Sequence, residues 1–378
     1  MDNLESTINT GEPLEQPLDL DFENDASRIS GKLKKSILWN RMTQWEYWPF
    51  TLLYVPVYFY FIGLMAKCRS FFFFTASNPG IHFGGMLGES KMEIFDILPK
   101  KYLPVTYRVS AEISKVEFFS QLKSKQIDFP FILKPDIGER GWMVELIKNE
   151  DELERYLDRI NVDFLVQEYV DYPIELGVFY YRYPDMSRGT VSSIVQKDLL
   201  GVKGDGRKSV RDLIQENPRA KMHEESIARR DPKILEQIPK YGELVELVSI
   251  GNHSRGTTFL NGNHFISEKL IHVIDEISKK IAGFYFGRYD IRCSSIEDLC
   301  AGNNIKILEL NGAGAEPGHI YQPGYSLIRA YRDIMHHLKV LAEISKINHK
   351  RGTPYMSLKD GLSELQKIRR YNKQRVNL

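Results

Sequence analysis

The sequence is poor in cysteine, with only Cys68, Cys293 and Cys300 among 378 residues. So few thiols cannot form a disulfide framework, and they suit a reducing compartment. Net charge is also nearly absent, because 51 basic residues face 50 acidic ones. A chain this close to neutral has no overall field for gripping a nucleic-acid backbone, so no nucleic-acid partner is expected.

The start of the chain lacks the apolar core of a secretory signal. Residues 1–30 carry eight acidic residues and one base, Arg28. A segment of this kind cannot offset its ordering entropy by burial, so we expect a disordered acidic tail. The other end, 351–378, is a basic tail with a short helix expected at Leu362–Ile368. A solvated terminus and a contact with an anionic surface both stay open for it.

Residues 45–66 form an aromatic hydrophobic stretch without a charge between Trp48 and Ala66. The stretch is long enough to cross a bilayer, but Pro49 and Pro56 weaken a continuous helix and the aromatic rings suit a membrane interface. Three placements stay open: on a membrane face, buried against the protein, or spanning. Spanning would export the rest of the chain, which conflicts with the nucleotide chemistry below, so the peripheral placement is favoured.

The remaining chain alternates between strand and helix patterns. A buried strand followed by a loop is expected at Phe71–Phe74, because an apolar run there ends in Asn-Pro-Gly. Many of the later strands lie close enough for hairpins, which predicts a mixed α+β class. The expected elements are strands at Thr106–Arg108, Phe131–Leu133, Val144–Ile147 and Phe164–Val170, and helices at Lys115–Gln126 and Glu150–Arg159.

A lysine at the end of a strand introduces the first chemical pattern. Lys134 precedes a loop that contains Gly138 and Gly141, and a second strand follows. Glycines let backbone N–H groups approach a phosphate, and the lysine adds a point charge. The spacing favours a hairpin flap over a Walker loop. Alone, this combination also arises by chance.

The second pattern is the strand edge Val166–Val170, followed by Glu175. The backbone of such an edge can hydrogen-bond an adenine, and a carboxylate can hold ribose hydroxyl groups. An ordinary strand with a solvated acid explains the same residues.

Two apparent strands, Gly287–Arg292 and Ile305–Gly312, carry the third pattern. Because side chains alternate along a strand, Glu309 and Asn311 share a face, and pairing of the strands would bring them to Asp290. Three oxygen ligands of this kind suit Mg²⁺ that bridges nucleotide phosphates. A surface ladder of ion pairs with Arg288 and Arg292 is the alternative.

In this order the patterns resemble the ATP-grasp superfamily, most nearly its D-alanine–D-alanine ligase and cyanophycin/glutathione synthetase branches. The resemblance covers roughly residues 88–345, and the ordered set is specific although each motif is loose. The matching pieces are Ser90-Lys91, Lys134-Pro135 with its glycine loop, Gln167 to Val170 with Glu175, Gly287 to Asp290, Glu309 to Asn311, and Gly204 to Arg207, which is similar to the Gly-Asp-Gly segment of cyanophycin-synthetase-type members.

The resemblance implies an α+β ATP-grasp fold of two lobes that clamp ATP, with the aromatic helical segment in place of the usual N-terminal lobe. The implied organisation is a tail at 1–30, the aromatic segment at 31–69, the N-terminal part of the ATP-grasp region at 70–130, a lid lobe at 131–200, a C-terminal lobe with the metal site at 201–350, and a basic tail at 351–378.

The resemblance also implies roles for individual residues. Around the nucleotide, it implies phosphate contacts by Lys91 and Lys134, a flap at 138–143 with Gly138 and Gly141, adenine contacts by Glu168, Tyr169 and Val170, and a ribose contact by Glu175. For the chemistry, it implies two Mg²⁺ held by Asp290, Glu309 and Asn311, and catalysis by Arg288 with Lys134.

The implied reaction joins a small-molecule carboxylate to an amine through an acyl phosphate, with ATP and Mg²⁺, in the cytoplasm. Mn²⁺ in place of Mg²⁺, a homodimer and a peripheral contact with the inner membrane face stay open, as does the choice between Lys197 and Lys203 as a further phosphate ligand. A nucleotide-binding scaffold or regulator without catalysis is the alternative function, and a membrane-anchored structural protein is a third.

Two departures from the family pattern put the substrate in doubt. Asn311 is followed by Gly312 to Glu316 before Pro317-Gly318, where the ligase branch has a shorter run. The usual N-terminal lobe, which helps to bind substrate, is replaced. His253 to Gly256 is a candidate replacement pocket for phosphate or carboxylate, while His253 and His319 suit either a substrate pocket or a structural role.

Overall fold

We describe the protein from a computed structural model, which describes residues 45, 48, 50–139, 141–248, 251 and 256–376. The chain divides into two compact units, Met1–Leu53 and Tyr54–Leu378. The expected tail at 1–30 lies outside the described residues. The sheets and the site described below all belong to the second unit.

Helices and strands are interspersed along the described chain. The helices are α1 (Phe50–Leu53), α2 (Val55–Cys68), α3 (Lys91–Ile97), α4 (Lys115–Lys125), α5 (Glu150–Leu157), α6 (Val210–Glu216), α7 (Pro218–Lys221), α8 (Glu224–Arg230), α9 (Glu268–Lys279), α10 (Ile296–Ala301), α11 (Leu327–Lys350) and α12 (Leu358–Val376). The strands are β1 (Thr106–Val109), β2 (Phe131–Pro135), β3 (Glu145–Ile147), β4 (Phe164–Glu168), β5 (Ile174–Tyr181), β6 (Thr190–Asp198), β7 (Gly201–Lys203), β8 (Leu244–Glu246), β9 (Thr258–Asn261), β10 (Phe286–Cys293) and β11 (Ile305–Asn311).

Serine and asparagine side chains set the starts of many helices. Each accepts a hydrogen bond from a backbone N–H of the first turn, which has no partner inside the helix. Ser90, for example, accepts from the N–H of Glu93 at the start of α3. The same cap occurs at Ser114, Asn149, Ser209, Ser267 and Ser295.

The smaller lobe, here called the lid lobe, is a four-stranded antiparallel sheet in the order β1-β4-β2-β3. Its core joins Phe118 of α4 and Tyr156 of α5 to Phe131 and Phe164 of the sheet, and all four side chains are fully buried. β2 and β3 form a hairpin, and the glycine-bearing loop that was predicted as a flap connects them.

The larger lobe, here called the body, contains a five-stranded antiparallel sheet in the order β11-β10-β5-β6-β9. One face packs on α9 and α10, and buried aromatic and aliphatic residues such as Tyr180, Phe284 and Tyr289 fill that core. Helix α10 lies between β10 and β11, where the sequence indicated only a turn. The mixed α+β class is confirmed.

Sheet membership differs from the predicted lobe boundaries. β1 comes from the region 70–130 but pairs with β4 in the lid lobe. β5 and β6 lie within 131–200, the predicted lid, but both join the body sheet, where β5 lies between β10 and β6. Neighbours in the chain need not share a sheet, because the pairing of strands depends on partners that are distant in sequence.

The aromatic segment forms a helix of 14 residues, α2, with Pro56 in its first turn, where a proline is tolerated. Val57, Leu64 and Cys68 are buried against the body. Within the described part of the chain, no helix is both long and apolar enough to cross a membrane. Exposed apolar side chains follow the opposite face of α2 and comprise Val55, Tyr58, Phe59 and Ile62.

The predicted strand at Phe71–Phe74 is wrong, because a short 3-10 helix runs over Phe73–Ala76. Phe72, Phe73 and Phe74 are all buried in one aromatic cluster. A strand would send neighbouring side chains to opposite faces, whereas a tight turn lets three successive rings enter the same cluster.

The segment 199–248 adds a small subdomain with its own core, which includes Val210, Ile214 and Leu235. Its strands β7 and β8 pair with each other only. The Gly204–Gly206 segment forms a turn in this subdomain, in which the Asp205 carboxylate accepts hydrogen bonds from the backbone N–H groups of Arg207 and Lys208.

The C-terminal region is more ordered than predicted. The helix expected at Leu362–Ile368 extends over Leu358–Val376 as α12. Gly361 is buried, and Glu364, Ile368 and Tyr371 are partly buried on the same side of α12. This side of the predicted basic tail therefore packs against the protein and is not a solvated terminus.

Candidate nucleotide and metal site

A cavity of about 850 Å³ lies between the lid lobe and the body. Its walls are formed by the flap, by one face of the lid sheet, and by the edge of the body sheet that carries β10 and β11. The cavity-lining residues include the expected Lys91, Lys134, Gly138, Gly141, Glu168, Tyr169, Val170, Glu175, Arg288, Asp290, Glu309 and Asn311. Sequence reasoning therefore collected residues that the fold brings to one place.

The expected metal ligands come from two neighbouring strands. β10 and β11 pair so that Asp290 faces Glu309 and Arg288 faces Asn311. Directly opposed residues of an antiparallel pair share a face of the sheet. The three oxygen-bearing side chains thus point into the cavity together.

Basic side chains compensate the charge of Asp290. Arg288 Nε lies 2.9 Å from one carboxylate oxygen and Lys197 Nζ lies 3.1 Å from the other. Burial alone would raise the pKa of Asp290, but the two cations outweigh burial and lower the pKa to about 2. Asp290 is therefore ionised at neutral pH, and a metal ion would have to share or replace these two contacts.

The donor set of Asp290, Glu309 and Asn311 fits Mg²⁺. Hard oxygen ligands with one or two carboxylates, completed by substrate phosphates, are the usual protein environment of this ion. No hydrogen bond or ion pair joins the Glu309 carboxylate to another of the described residues, and the buried Asn311 Nδ2 has no hydrogen-bond partner. The described residues contain no cluster of three or more His, Cys, Asp or Glu side chains that could hold a metal ion by itself. A cation here would therefore depend on the amide and on the nucleotide.

Lys134 is a buried lysine that lines the cavity. Its Nζ donates to Gln167 Oε1 and to the Leu308 carbonyl oxygen, both at 3.1 Å. Burial lowers its pKa to about 8, because removal from water penalises the charged form. The nearby carboxylates of Glu309, Asp136 and Asp290 oppose this shift of the pKa, and a phosphate group would add further negative charge.

Lys91 lies at the base of the flap. Its Nζ donates to the Gly138 carbonyl oxygen at 2.7 Å, which holds the ammonium group beside the loop that is expected to cover phosphates. Gly141 adopts a positive φ of 71°, a conformation that favours glycine over residues with a Cβ. The loop geometry thus depends on this glycine.

The expected adenine and ribose residues lie along the other side of the cavity. The Val170 carbonyl oxygen accepts a hydrogen bond from Arg292 at 2.7 Å. Glu175 accepts from Arg292 at 3.1 Å and from Lys197 at 3.0 Å. Ribose would have to share or replace these bonds at Glu175, because both carboxylate oxygens already have donors.

The structure distinguishes between candidate site residues for which the sequence allowed more than one role. Lys197 lines the cavity, whereas Lys203 lies on β7 in the subdomain. His319 is buried, with its Nδ1 2.7 Å from Ser193 Oγ, and is not among the described residues that line the cavity. In the candidate pocket 253–256, residues 253–255 lie outside the described residues.

Three features of the cavity were not predicted from the sequence as parts of the site: Glu89, Glu316 and helix α12. Glu89 lines the cavity with a buried, unpartnered Oε2, and burial followed by the nearby Glu309 and Glu139 raises its pKa. Glu316 accepts from Tyr321 at 2.7 Å. Helix α12 also reaches the cavity. Glu89 immediately precedes the Ser90-Lys91 pair, which matches the ATP-grasp pattern. This position in the sequence was the signal by which Glu89 could have been predicted.

One family model matches part of the chain. Residues 89–175 match a family model described as the RimK-like ATP-grasp domain. No curated protein sequence matches the chain significantly.

Solved structures with similar folds are remote. VanG D-Ala:D-Ser ligase from Enterococcus faecalis aligns at 12% identity over 69% of this chain and 62% of that chain, with a TM-score of 0.40. D-alanine–D-alanine ligase from Bacillus anthracis aligns at 12% identity over 70% and 69%, with a TM-score of 0.38. A bifunctional glutathione synthetase from Pasteurella multocida aligns at 14% identity over 61% and 34%, with a TM-score of 0.31. The chain thus spans less than two thirds of the length of the first and third of these proteins.

The family match covers the cavity-lining residues Lys91, Lys134, Gly138, Gly141, Glu168, Tyr169, Val170 and Glu175. Residues 89–175 of this chain are thus similar to a RimK-like ATP-grasp domain.

Proposed function

We propose that the protein is an ATP-dependent carboxylate–amine ligase. One observation carries the proposal: a single cavity holds Lys134 and Arg288 together with the oxygen ligands Asp290, Glu309 and Asn311. Phosphoryl transfer needs positioning and charge neutralisation more than covalent help from the protein, and this set supplies both.

In the first step a carboxylate oxygen of the substrate attacks the γ-phosphorus of ATP. An acyl phosphate forms and ADP leaves. Lys91 and Lys134 would bind the phosphates, and Arg288 would steady the charge on the transferring group. Mg²⁺, when bound by Asp290, Glu309 and Asn311, supplies further neutralisation of phosphate charge. The flap at 138–143 would exclude water from the acyl phosphate.

In the second step the amine nitrogen attacks the acyl carbon. The C–N bond forms, the bond from that carbon to the phosphate oxygen breaks, and inorganic phosphate leaves while the nitrogen loses a proton. The acceptor would bind near Glu316, whose backbone oxygen accepts from Arg288 at 3.2 Å, because this places it beside the expected site of transfer.

A screen for ADP release tests the proposal. Purified protein is given Mg²⁺ and ATP with amino acids, short peptides and other carboxylates, each with amine acceptors. In parallel, hydroxylamine replaces the amine, so that an acyl phosphate is trapped as a hydroxamate. We expect ADP release that depends on one carboxylate, and its loss in Lys134→Met. ADP release in Lys134→Met equal to that of the wild type would refute the assignment.

A catalytically inactive scaffold or regulator is the rival function. It would bind ATP but would release no ADP with any substrate pair. The metal ligands Asp290, Glu309 and Asn311 face one cavity, which favours the enzyme.

A cytoplasmic location and a peripheral membrane contact stay predictions, as does a homodimer. ATP chemistry favours the cytoplasm. On helix α2, Phe59 is 72% exposed and Ile62 is 57% exposed. The exposed basic residues Lys67 and Arg69 follow them in the chain. Such a face suits an anionic lipid surface. In a sedimentation assay with phosphatidylglycerol vesicles, the wild type should pellet with the vesicles and a Phe59→Ser, Ile62→Ser double variant should stay in the supernatant. Equal binding of the two proteins would exclude this contact.

A further inference from the structure

Helix α12 forms one wall of the candidate nucleotide cavity. Five of its residues line the cavity, although they lie some 50 residues after the last predicted metal ligand. They are Glu364, Lys367, Ile368, Tyr371 and Asn372.

The first half of α12 is anchored on the body. Gly361 lies against the ring of Phe72, so closely that a Cβ at this position would collide with the ring. One turn further on, Glu364 Oε2 lies 3.2 Å from His82 Nε2. Ile368 packs with the aromatic cluster of the body and against Gly88.

The second half of α12 reaches the lid lobe. The Tyr371 hydroxyl donates to the Ile137 carbonyl oxygen at 3.0 Å. Ile137 immediately precedes Gly138, the first residue of the flap, and the Tyr371 ring packs against the core of the lid lobe. One helix therefore contacts the body through Ile368 and the flap through Tyr371.

We propose that Tyr371 is a positioning residue that holds the flap in place over the nucleotide. The flap contains two glycines and would otherwise sample many conformations, each of which ATP binding would have to exclude. A hydrogen bond from a rigid helix to the carbonyl at its base lowers that cost in advance. The inference rests on the proposed function only in taking ATP as the occupant of the cavity.

Tyr371→Phe tests the inference, because it removes the hydroxyl group and keeps the ring. Binding of ATP with Mg²⁺ is measured by calorimetry, and hydrogen exchange is measured over residues 136–144 and over the body. We expect Kd for ATP to rise about fivefold, as befits one lost hydrogen bond, with faster exchange in the flap and unchanged exchange in the body. Tyr183→Phe is the matched control, since it removes a hydroxyl that donates to Glu343 at 2.9 Å outside the cavity.

Unchanged flap exchange and an unchanged Kd in Tyr371→Phe would overturn the inference. If faster exchange spreads over the body, Tyr371 has a general structural role and the inference is equally overturned. If the wild type does not bind ATP, the proposed function fails, and exchange in the flap still decides whether Tyr371 holds this loop.

Discussion

Asp290 and Glu309 face each other across an antiparallel strand pair, and both line the cavity between the lobes. Two carboxylates on one face repel each other unless cations compensate them. In the ligand-free protein Lys197 and Arg288 compensate Asp290, whereas Glu309 has no ion-pair partner among the described residues. The pair is thus suited to take up a further positive charge.

Replacement of Lys134 should remove activity and keep the fold. Lys134→Met loses a buried cation of the cavity but fills a similar volume with an apolar chain, so we expect ADP formation to fall at least about a hundredfold. Circular dichroism should be unchanged. Lys208→Met is the control, because Lys208 pairs with Glu216 on the subdomain surface. Comparable losses in both variants would contradict a special role for Lys134.

Nucleotide affinity should depend on the charge of Lys134. The free protein holds the pKa of this lysine at about 8, so its ammonium form attracts phosphate below pH 8 and is lost above it. We expect Kd for ATP to rise about tenfold between pH 7 and pH 9. A Lys134→Arg variant keeps its charge and should show a flat profile. A wild-type profile as flat as that of the variant would speak against the lysine as the titrating group.

Acid should destabilise the protein through His337. Burial lowers the pKa of this ring to about 4, whereas an unfolded histidine titrates near pH 6.5. The unfolded state therefore binds the proton first as the pH falls, and stability that is complete above pH 6.5 is lost toward pH 4, by up to about 3 kcal/mol. Urea unfolding at pH 7 and pH 5 measures this loss.

The matched pair for that measurement is His337→Asn and His336→Asn. His336 is exposed, and its replacement should keep the pH dependence. His337→Asn should reduce it. An identical slope in the two variants would show that other groups cause the acid sensitivity.

A side chain at position 312 should disturb the metal site. A Cβ on Gly312 would lie 2.6 Å from the Gly84 carbonyl oxygen and 2.8 Å from Gly85 Cα. Both neighbours are backbone, so Gly312→Ala should cost about 1–3 kcal/mol and displace the adjoining Asn311. Thermal unfolding and Mg²⁺-dependent ATP binding report the two effects. Gly63→Ala is the control, because nothing lies within 4 Å of its Cβ position; a stable, fully binding Gly312→Ala would contradict this account.

Strand periodicity allowed much of the site to be predicted from the sequence. Alternation along a strand is a local rule, so Glu309 and Asn311 could be assigned to one face before any partner was known. The pairing with β10 then brought Asp290 to the same face. The lid hairpin followed from a similarly short-range signal, two strands joined by a glycine-bearing loop.

Contacts that depend on distant packing could not be predicted. In α12 the apolar stripe Leu358, Leu362 and Leu365 is exposed, while the side that carries Glu364, Ile368 and Tyr371 faces the protein. A hydrophobic pattern would therefore have selected the wrong face. The predicted lobe boundaries assigned β1, β5 and β6 to the wrong sheet for the same reason, because sheet membership depends on partners far along the chain.

Binding of ATP with and without Mg²⁺, measured by calorimetry, tests the central claim most directly. We expect Mg²⁺ to strengthen ATP binding to the wild type at least about tenfold, and to have little effect on Asp290→Asn or Glu309→Gln, since each loses a charged ligand. Asp185→Asn, an exposed control outside the cavity, should behave as the wild type does. Full Mg²⁺ dependence in both site variants would contradict the assignment of the metal site and the nucleotide chemistry built on it.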